Sequence, residues 1–115
     1  MFYIKNKVFH VTWGDKGSFD VSFKDYTFNI GDVLELKIYN EDNMDSEPLL
    51  TKSVVADAAV DTLTMTLLGA DTKLGNPINE RVTFWYEITL NGDQTPFCYD
   101  ETGPRLFYVY PGGVD

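Results

Sequence analysis

The segment Val82–Leu90, which reads VTFWYEITL, decides the fold of this chain, and Asn91 and Gly92 follow it directly. Apolar residues occupy every second position from Val82 to Leu90, and Thr, Trp and Glu fill the positions between them. A period of two is typical of a half-buried β-strand and not of a helix. Asn-Gly supplies the two positive-φ positions that a type I′ turn requires. The segment therefore predicts a strand that turns back into an antiparallel hairpin.

Segments with the same alternation recur along the whole chain. They span residues 7–13, 18–23, 33–39, 49–56, 60–68, 94–99 and 105–110, and turn-forming residues separate them about every ten positions. Residues 70–75 predict one short helical turn, because Asp71 can cap its start and Gly75 can end it. We therefore predict an all-β fold, an immunoglobulin-like antiparallel β-sandwich of seven to eight short strands that forms a single domain over residues 1–115.

Composition and charge exclude several classes of partner. Eighteen acidic residues against nine scattered basic ones give a net charge of −9. We expect no nucleic-acid partner, because such binding needs Lys and Arg to neutralise phosphates. No apolar run approaches the roughly 18–20 residues of a membrane span, so we expect no membrane partner. The single cysteine, Cys98, excludes an internal disulfide and indicates folding in a reducing cytosol.

The sequence offers no motif for catalysis. Its one histidine, His10, lies in the first predicted strand, where we expect a structural, half-exposed side chain and not a general base. Cys98 is flanked by Phe97 and Tyr99, and we expect a buried, inert thiol there, since a reactive thiolate needs a nearby cation. We therefore predict that the chain is not an enzyme and that it holds no cofactor and no metal.

The most polar segment, residues 40–48, carries Glu41, Asp42, Asp45 and Glu47. Carboxylates in a loop are the ligands that Ca²⁺ prefers. Residues 42–47, however, lack the glycine at the sixth position and the distal glutamate of an EF-hand loop. We interpret residues 41–47 as a solvated acidic loop, with cation binding as the alternative.

Several aromatic and apolar residues suggest contact with a partner. Trp85 falls on the polar side of the clearest strand, so it is an anchor for a partner if that face is exposed and a core residue if a second sheet covers it. Both chain ends are also apolar, and we expect residues 1–6 and 111–115 to act as docking termini. The predicted partner-binding residues are Phe2, Tyr3, Ile4, Trp85, Tyr108 and Tyr110.

Five segments, in order, make the chain similar to the small immunoglobulin-like virion proteins of tailed bacteriophages and prophages. These segments are WGD at 13–15, GDVLELKIY at 31–39, GADTKL at 69–74, WYEITL at 85–90 and FYVYPGG at 107–113. The resemblance implies a structural role in the virion, as a capsid decoration, a head-fibre base or a tail or baseplate adaptor, and it implies no catalytic residues. Its partners would be the major capsid protein or tail and baseplate proteins, with further copies of the chain.

We therefore expect a non-catalytic virion protein, made in the cytoplasm of the bacterial host, that decorates the capsid through its termini and one face of the sandwich. A tail or baseplate adaptor is the first alternative. The second is a carbohydrate-binding immunoglobulin-like module, in which an exposed Trp85, Tyr86 or Tyr99 would provide the flat stacking surface that sugars favour.

Overall fold

Ten β-strands form two sheets in the computed structural model, which describes residues 1–23, 25–92, 94–97, 99–100 and 103–112. None of these residues is helical, so the prediction of an all-β fold is confirmed. The strands are β1 Phe2–Lys5, β2 Val8–Thr12, β3 Gly17–Val21, β4 Val33–Asn40, β5 Leu50–Val55, β6 Leu63–Leu67, β7 Val82–Leu90, β8 Gln94–Phe97, β9 Tyr99–Asp100 and β10 Gly103–Tyr110.

The larger sheet has eight strands, in the order β1-β2-β10-β7-β4-β5, with β8 paired to β7 and β9 paired to β10. Strands β2 and β10 run parallel, with Phe9 opposite Phe107 and Val11 opposite Val109. The expectation of a wholly antiparallel fold is wrong at this pair, because the first and last long strands of the chain lie side by side. The smaller sheet pairs β3 with β6 antiparallel.

The hairpin predicted after Val82–Leu90 is confirmed. Strand β8 pairs antiparallel with the end of β7, with Gln94 opposite Leu90. Asn91 has a φ of 55° and Gly92 a φ of 74°, the pair of positive values that a type I′ turn needs. The Asn91 side chain adds a second function, because its amide oxygen accepts a hydrogen bond from the Val33 N–H at 2.8 Å. The turn is thereby fixed to the start of β4.

The helical turn predicted at residues 70–75 is wrong, since this segment forms consecutive tight turns. The Asp71 carboxylate accepts a hydrogen bond from the N–H of Leu68, which precedes it, so it caps no following turn. Thr72 is fully buried, and its hydroxyl lies within hydrogen-bond distance of the Asp15 carbonyl (2.8 Å) and the Gly69 carbonyl (3.2 Å). The Asp15 contact joins the segment to the residues before β3, whereas the Gly69 and Leu68 contacts are local.

One hydrophobic core joins the two sheets. Alternating residues of β4 and β6 point into it as the sequence predicts, and they are buried while their neighbours along the strand are more exposed. The larger sheet adds its own inward face from β2, β7 and β10. The core residues with the least exposure include Phe9, Val11, Phe28, Leu34, Leu36, Ile38, Leu67, Phe107 and Val109.

Strand β1 lies within residues 1–6, which the sequence suggested only as a docking terminus. It pairs antiparallel with β2 from Phe2 opposite Val11 to Lys5 opposite Val8. Asn6 and Lys7 form the connecting turn with φ values of 53° and 64°. The Phe2 ring packs against Phe9 and Phe19, and it occupies the space that a side chain at Gly17 would need. At the other end, residues 113–115 lie outside the described part of the chain.

Candidate interaction surface

The outer face of the larger sheet, which points away from the core, brings together aromatic residues from three strands. Tyr3 of β1 lies opposite His10 of β2, and His10 lies opposite Tyr108 of β10. Residues opposite each other in paired strands share a face of the sheet. Tyr110 follows two positions after Tyr108 and therefore points the same way. We call Tyr3, His10, Tyr108 and Tyr110 the aromatic cluster.

Ring stacking holds the aromatic cluster together around His10. The Tyr3 and His10 rings are nearly parallel, with an interplanar angle of 11° and centroids 4.6 Å apart. Tyr110 stacks less closely on His10, at 5.9 Å, and a hydrogen bond of 2.8 Å joins its hydroxyl and the His10 Nδ1. Tyr108 meets His10 edge to face at 5.5 Å. Tyr3 is the most open member, with 47% of its surface exposed.

Two positive groups lie near the aromatic cluster, although the whole chain carries −9. The Arg81 guanidinium carbon lies 3.8 Å from the centre of the Tyr108 ring. Partial burial lowers the pKa of His10 below its usual value, and the positive charges of Arg81 and Lys5 lower it further. Neither Lys5 nor Arg81 forms an ion pair with a described carboxylate. The cluster is therefore an aromatic surface with a cationic border.

The structure gathers some of the predicted partner-binding residues and separates others. Tyr3, Tyr108 and Tyr110 meet in the aromatic cluster. Trp85 lies on the same outer face, between Tyr39 of β4 and Leu106 of β10, and is half-buried. Two other residues belong to the opposite side of the sheet. Phe2 packs on the core, whereas Ile4 lies at the open edge with 39% of its surface exposed.

Of the three residues expected to stack on a sugar, the structure shows one, Tyr86, to be buried in the core. Tyr86 is only 2% exposed, and its hydroxyl donates a hydrogen bond to the Lys7 carbonyl. Trp85 is half-buried, and the side chain of Tyr99 lies outside the described part of the structure. Within the aromatic cluster, the stacked rings of Tyr3 and His10 each cover one face of the other. The Tyr86 ring is therefore unable to stack on a sugar, because it is buried.

Tyr26 and Asp32 form a hydrogen-bonded pair whose pKa values are both shifted. The Tyr26 hydroxyl donates a hydrogen bond of 2.5 Å to the Asp32 carboxylate. This bond raises the pKa of Tyr26 and is the main reason why the pKa of Asp32 is lowered, with the Asn29 N–H and the Asn91 amide adding to the effect on Asp32. The network ties the segment before β4 to the turn after β7.

The other surface features carry less chemistry. An open groove of about 180 Å³ lies beside β1 and β3 and is lined mainly by apolar side chains, among them Ile4, Phe19 and Ile88. Among the described residues no group of three or more His, Cys, Asp and Glu side chains is placed to hold a metal ion. None of the same residues forms a helix long and apolar enough to cross a membrane. Cys98 lies outside the described ranges.

The acidic loop is exposed, as the sequence predicts. Glu41, Asp42, Asp45 and Glu47 are all exposed, and none of them forms an ion pair with a described residue. The loop is closed by its own bonds, since the Asn43 N–H donates to the Asn40 carbonyl at 3.1 Å. Its carboxylates therefore face solvent at the end of β4.

No protein-family model matches the chain, and no curated protein matches it in sequence.

Proposed function

We propose that this chain is a non-catalytic structural protein of a bacteriophage virion, an immunoglobulin-like module that decorates the capsid through protein contacts. The observation that carries the proposal is the aromatic cluster with its cationic border on the outer face of the larger sheet. Tyr and Arg are enriched among the residues that dominate binding at protein interfaces. Tyr3 is exposed, so its ring is accessible to a partner.

The strand arrangement supports an immunoglobulin-like sandwich. In that architecture, strands C, F and G lie in one sheet, which C′ extends in variable-type domains, and strands B and E lie in the other. Here β4, β7 and β10 are neighbours in one sheet, with β5 beside β4, and β3 pairs with β6 in the other. The shared core between the two sheets fits the same proposal.

A structural role explains the character of the outer face better than catalysis does. The one histidine stacks on Tyr3 and Tyr110, and its surroundings lower its pKa and so favour the neutral ring, which contributes packing. Many copies on a symmetric shell would gain avidity even from a modest contact through each module. The resemblance to phage virion proteins suggests the setting, with the tail or baseplate as the alternative location for the same kind of contact.

Binding to capsids that lack the protein tests this proposal. Purified chain is mixed with such shells, and the bound mass is followed by light scattering and sedimentation. We expect saturation at a stoichiometry that matches the symmetry of the shell, and loss of binding by Tyr3→Ser, which removes an exposed aromatic ring. Ile30→Ser is the matched control, because Ile30 is 76% exposed and lies in the loop before β4.

Shell binding that is equally strong for wild type, Tyr3→Ser and Ile30→Ser would show that the aromatic cluster is not the contact. No binding of the wild type to shells would overturn the capsid role and direct the same experiment to purified tails and baseplates.

A further inference from the structure

The chain itself carries a surface that complements the aromatic cluster. We propose that the outer face is occupied by a second copy of this chain, whose loop at residues 41–49 lies on the aromatic cluster of the first. This inference rests on the proposed role of the outer face in protein contact, and it names the partner at that face.

Charge is the first part of the complementarity. Lys5 and Arg81 border the aromatic cluster, and neither is paired with a described carboxylate. The loop presents four exposed carboxylates that are likewise without a described ion-pair partner. At physiological ionic strength charges more than about 8 Å apart are largely screened, so the overall repulsion between two acidic chains weakens while directly opposed groups still attract.

Apolar character is the second part. Leu49 ends the loop and is 46% exposed, next to the four carboxylates. Its backbone is fixed, because its N–H donates to the Ile38 carbonyl at 2.7 Å. An exposed apolar side chain next to acidic groups matches tyrosine rings next to cationic groups, since burying both sets together removes apolar area from water.

The positions of the two surfaces fit a two-fold pair. Tyr110 at the end of β10, Arg81 before β7 and the loop after β4 all lie at the same end of the larger sheet, because Val109 is opposite Val82 and Asn40 is opposite Phe84. Strands β10 and β4 are separated by β7, so the two surfaces are about 10 Å apart across the strands. A two-fold axis between them places each loop on the partner's cluster, and both contacts form at once.

Trp85 lies between the two surfaces in this arrangement. It belongs to β7, the strand that separates β10 from β4, and it is half-buried on the outer face. Residues that dominate binding are often large aromatic side chains near the centre of an interface.

Charge reversal tests the proposal by sedimentation velocity over a range of concentrations. We expect the wild type to form dimers as its concentration rises. One variant, Lys5→Glu with Arg81→Glu, makes the cluster acidic, and a second, Glu41→Lys with Asp45→Lys and Glu47→Lys, makes the loop basic, because Asp42 is then its one remaining acid. Each variant alone opposes like charges, and we expect its dissociation constant to rise about tenfold or more. Lys16→Glu, at an exposed residue directly before β3, is the control and should dimerise like the wild type.

Mixing the two variants gives the decisive result. In the mixture the acidic cluster meets the basic loop and the basic cluster meets the acidic loop, so we expect a heterodimer of near wild-type affinity. Thermal melting of each variant shows that it is folded. A mixture that stays monomeric, or a wild type that is monomeric up to about 1 mM, would overturn the proposal.

The two proposals fail in different ways. A wild type that stays monomeric but binds shells through Tyr3 assigns the outer face to a shell protein, which overturns the dimer and leaves the virion role in place. A protein that passes the charge-reversal test but binds no shell keeps the dimer and overturns the capsid role.

Discussion

The single histidine of the chain shows how one residue's protonation depends on its neighbours. His10 stacks on Tyr3 and Tyr110, and the nearest charged groups are Lys5 and Arg81. Burial and both cations oppose the imidazolium form, so the pKa of His10 is below its ordinary value. The neutral ring can stack and accept a hydrogen bond without adding a third positive charge.

We expect the wild type to lose more stability on acidification than a His10→Gln variant. The neutral ring contributes stability that is fully present above the unfolded pKa of about 6.5 and is lost as the pH falls through the lowered pKa of the folded state. Urea denaturation midpoints of both proteins, from about pH 8 to about pH 5, measure the difference. Other groups titrate alike in the two proteins, so a difference that is constant over this range would contradict the expectation.

At the same scale, the sequence suggests Tyr3, Tyr108 and Tyr110 as partner-binding residues but does not indicate that they lie together. Their meeting depends on the parallel pairing of β2 with β10, which brings His10 opposite Tyr108. Nothing local in either segment encodes a partner so far along the chain. Arg81 was not identified from the sequence, because an isolated charge before a strand gives no sign that it will lie over a ring.

Among the elements, β4, β6 and β7 were predictable because their apolar residues alternate without interruption, so one face has to be buried. Strand β1 was not predicted, since the turn Asn6-Lys7 contains no glycine and the four residues of the strand are mostly exposed. The helical turn at 70–75 was predicted from capping residues alone, and the burial of Thr72 overrode that local preference.

Gly92 is the residue on which the β7–β8 hairpin depends. Its φ of 74° is in the left-handed region, and no neighbouring atom would obstruct an added Cβ, so conformational cost alone decides the effect of a substitution. We expect Gly92→Ala to lower the free energy of unfolding by about 1–2 kcal/mol. Gly92→Asn is the control and should lose less, because asparagine tolerates this region better. Equal losses in urea denaturation would argue against the explanation.

In the whole molecule, β1 both completes the fold and carries part of the proposed contact. Its Phe2 ring packs on Phe9 and Phe19 at the margin of the core, whereas Tyr3 points to the outer face. The two functions can therefore be separated by substitution, although they occupy neighbouring residues.

We expect Phe2→Ala to lower the free energy of unfolding by about 2–4 kcal/mol. This is less than the roughly 3–5 kcal/mol typical of a phenylalanine truncated in a core, because Phe2 is only partly buried. Tyr3→Ser should change stability by less than about 1 kcal/mol, since surface substitutions have small effects. Chemical denaturation of both variants measures this. Comparable losses in the two would mean that Tyr3 also holds the fold together.

The parallel pairing of β2 with β10 determines how the module would respond to tension between its first and last described residues. The Thr12 N–H bonds to the Met1 carbonyl and the Trp13 N–H to the Tyr110 carbonyl, so both ends leave from one end of the sheet. A pull on them would first peel β1 from β2, one bond at a time. The force would then reach Val8, at the far end of β2 from Tyr110, and load the β2–β10 bonds in shear, all together. Such a module would extend by the length of β1 at low force and would then resist further extension through the β2–β10 pair.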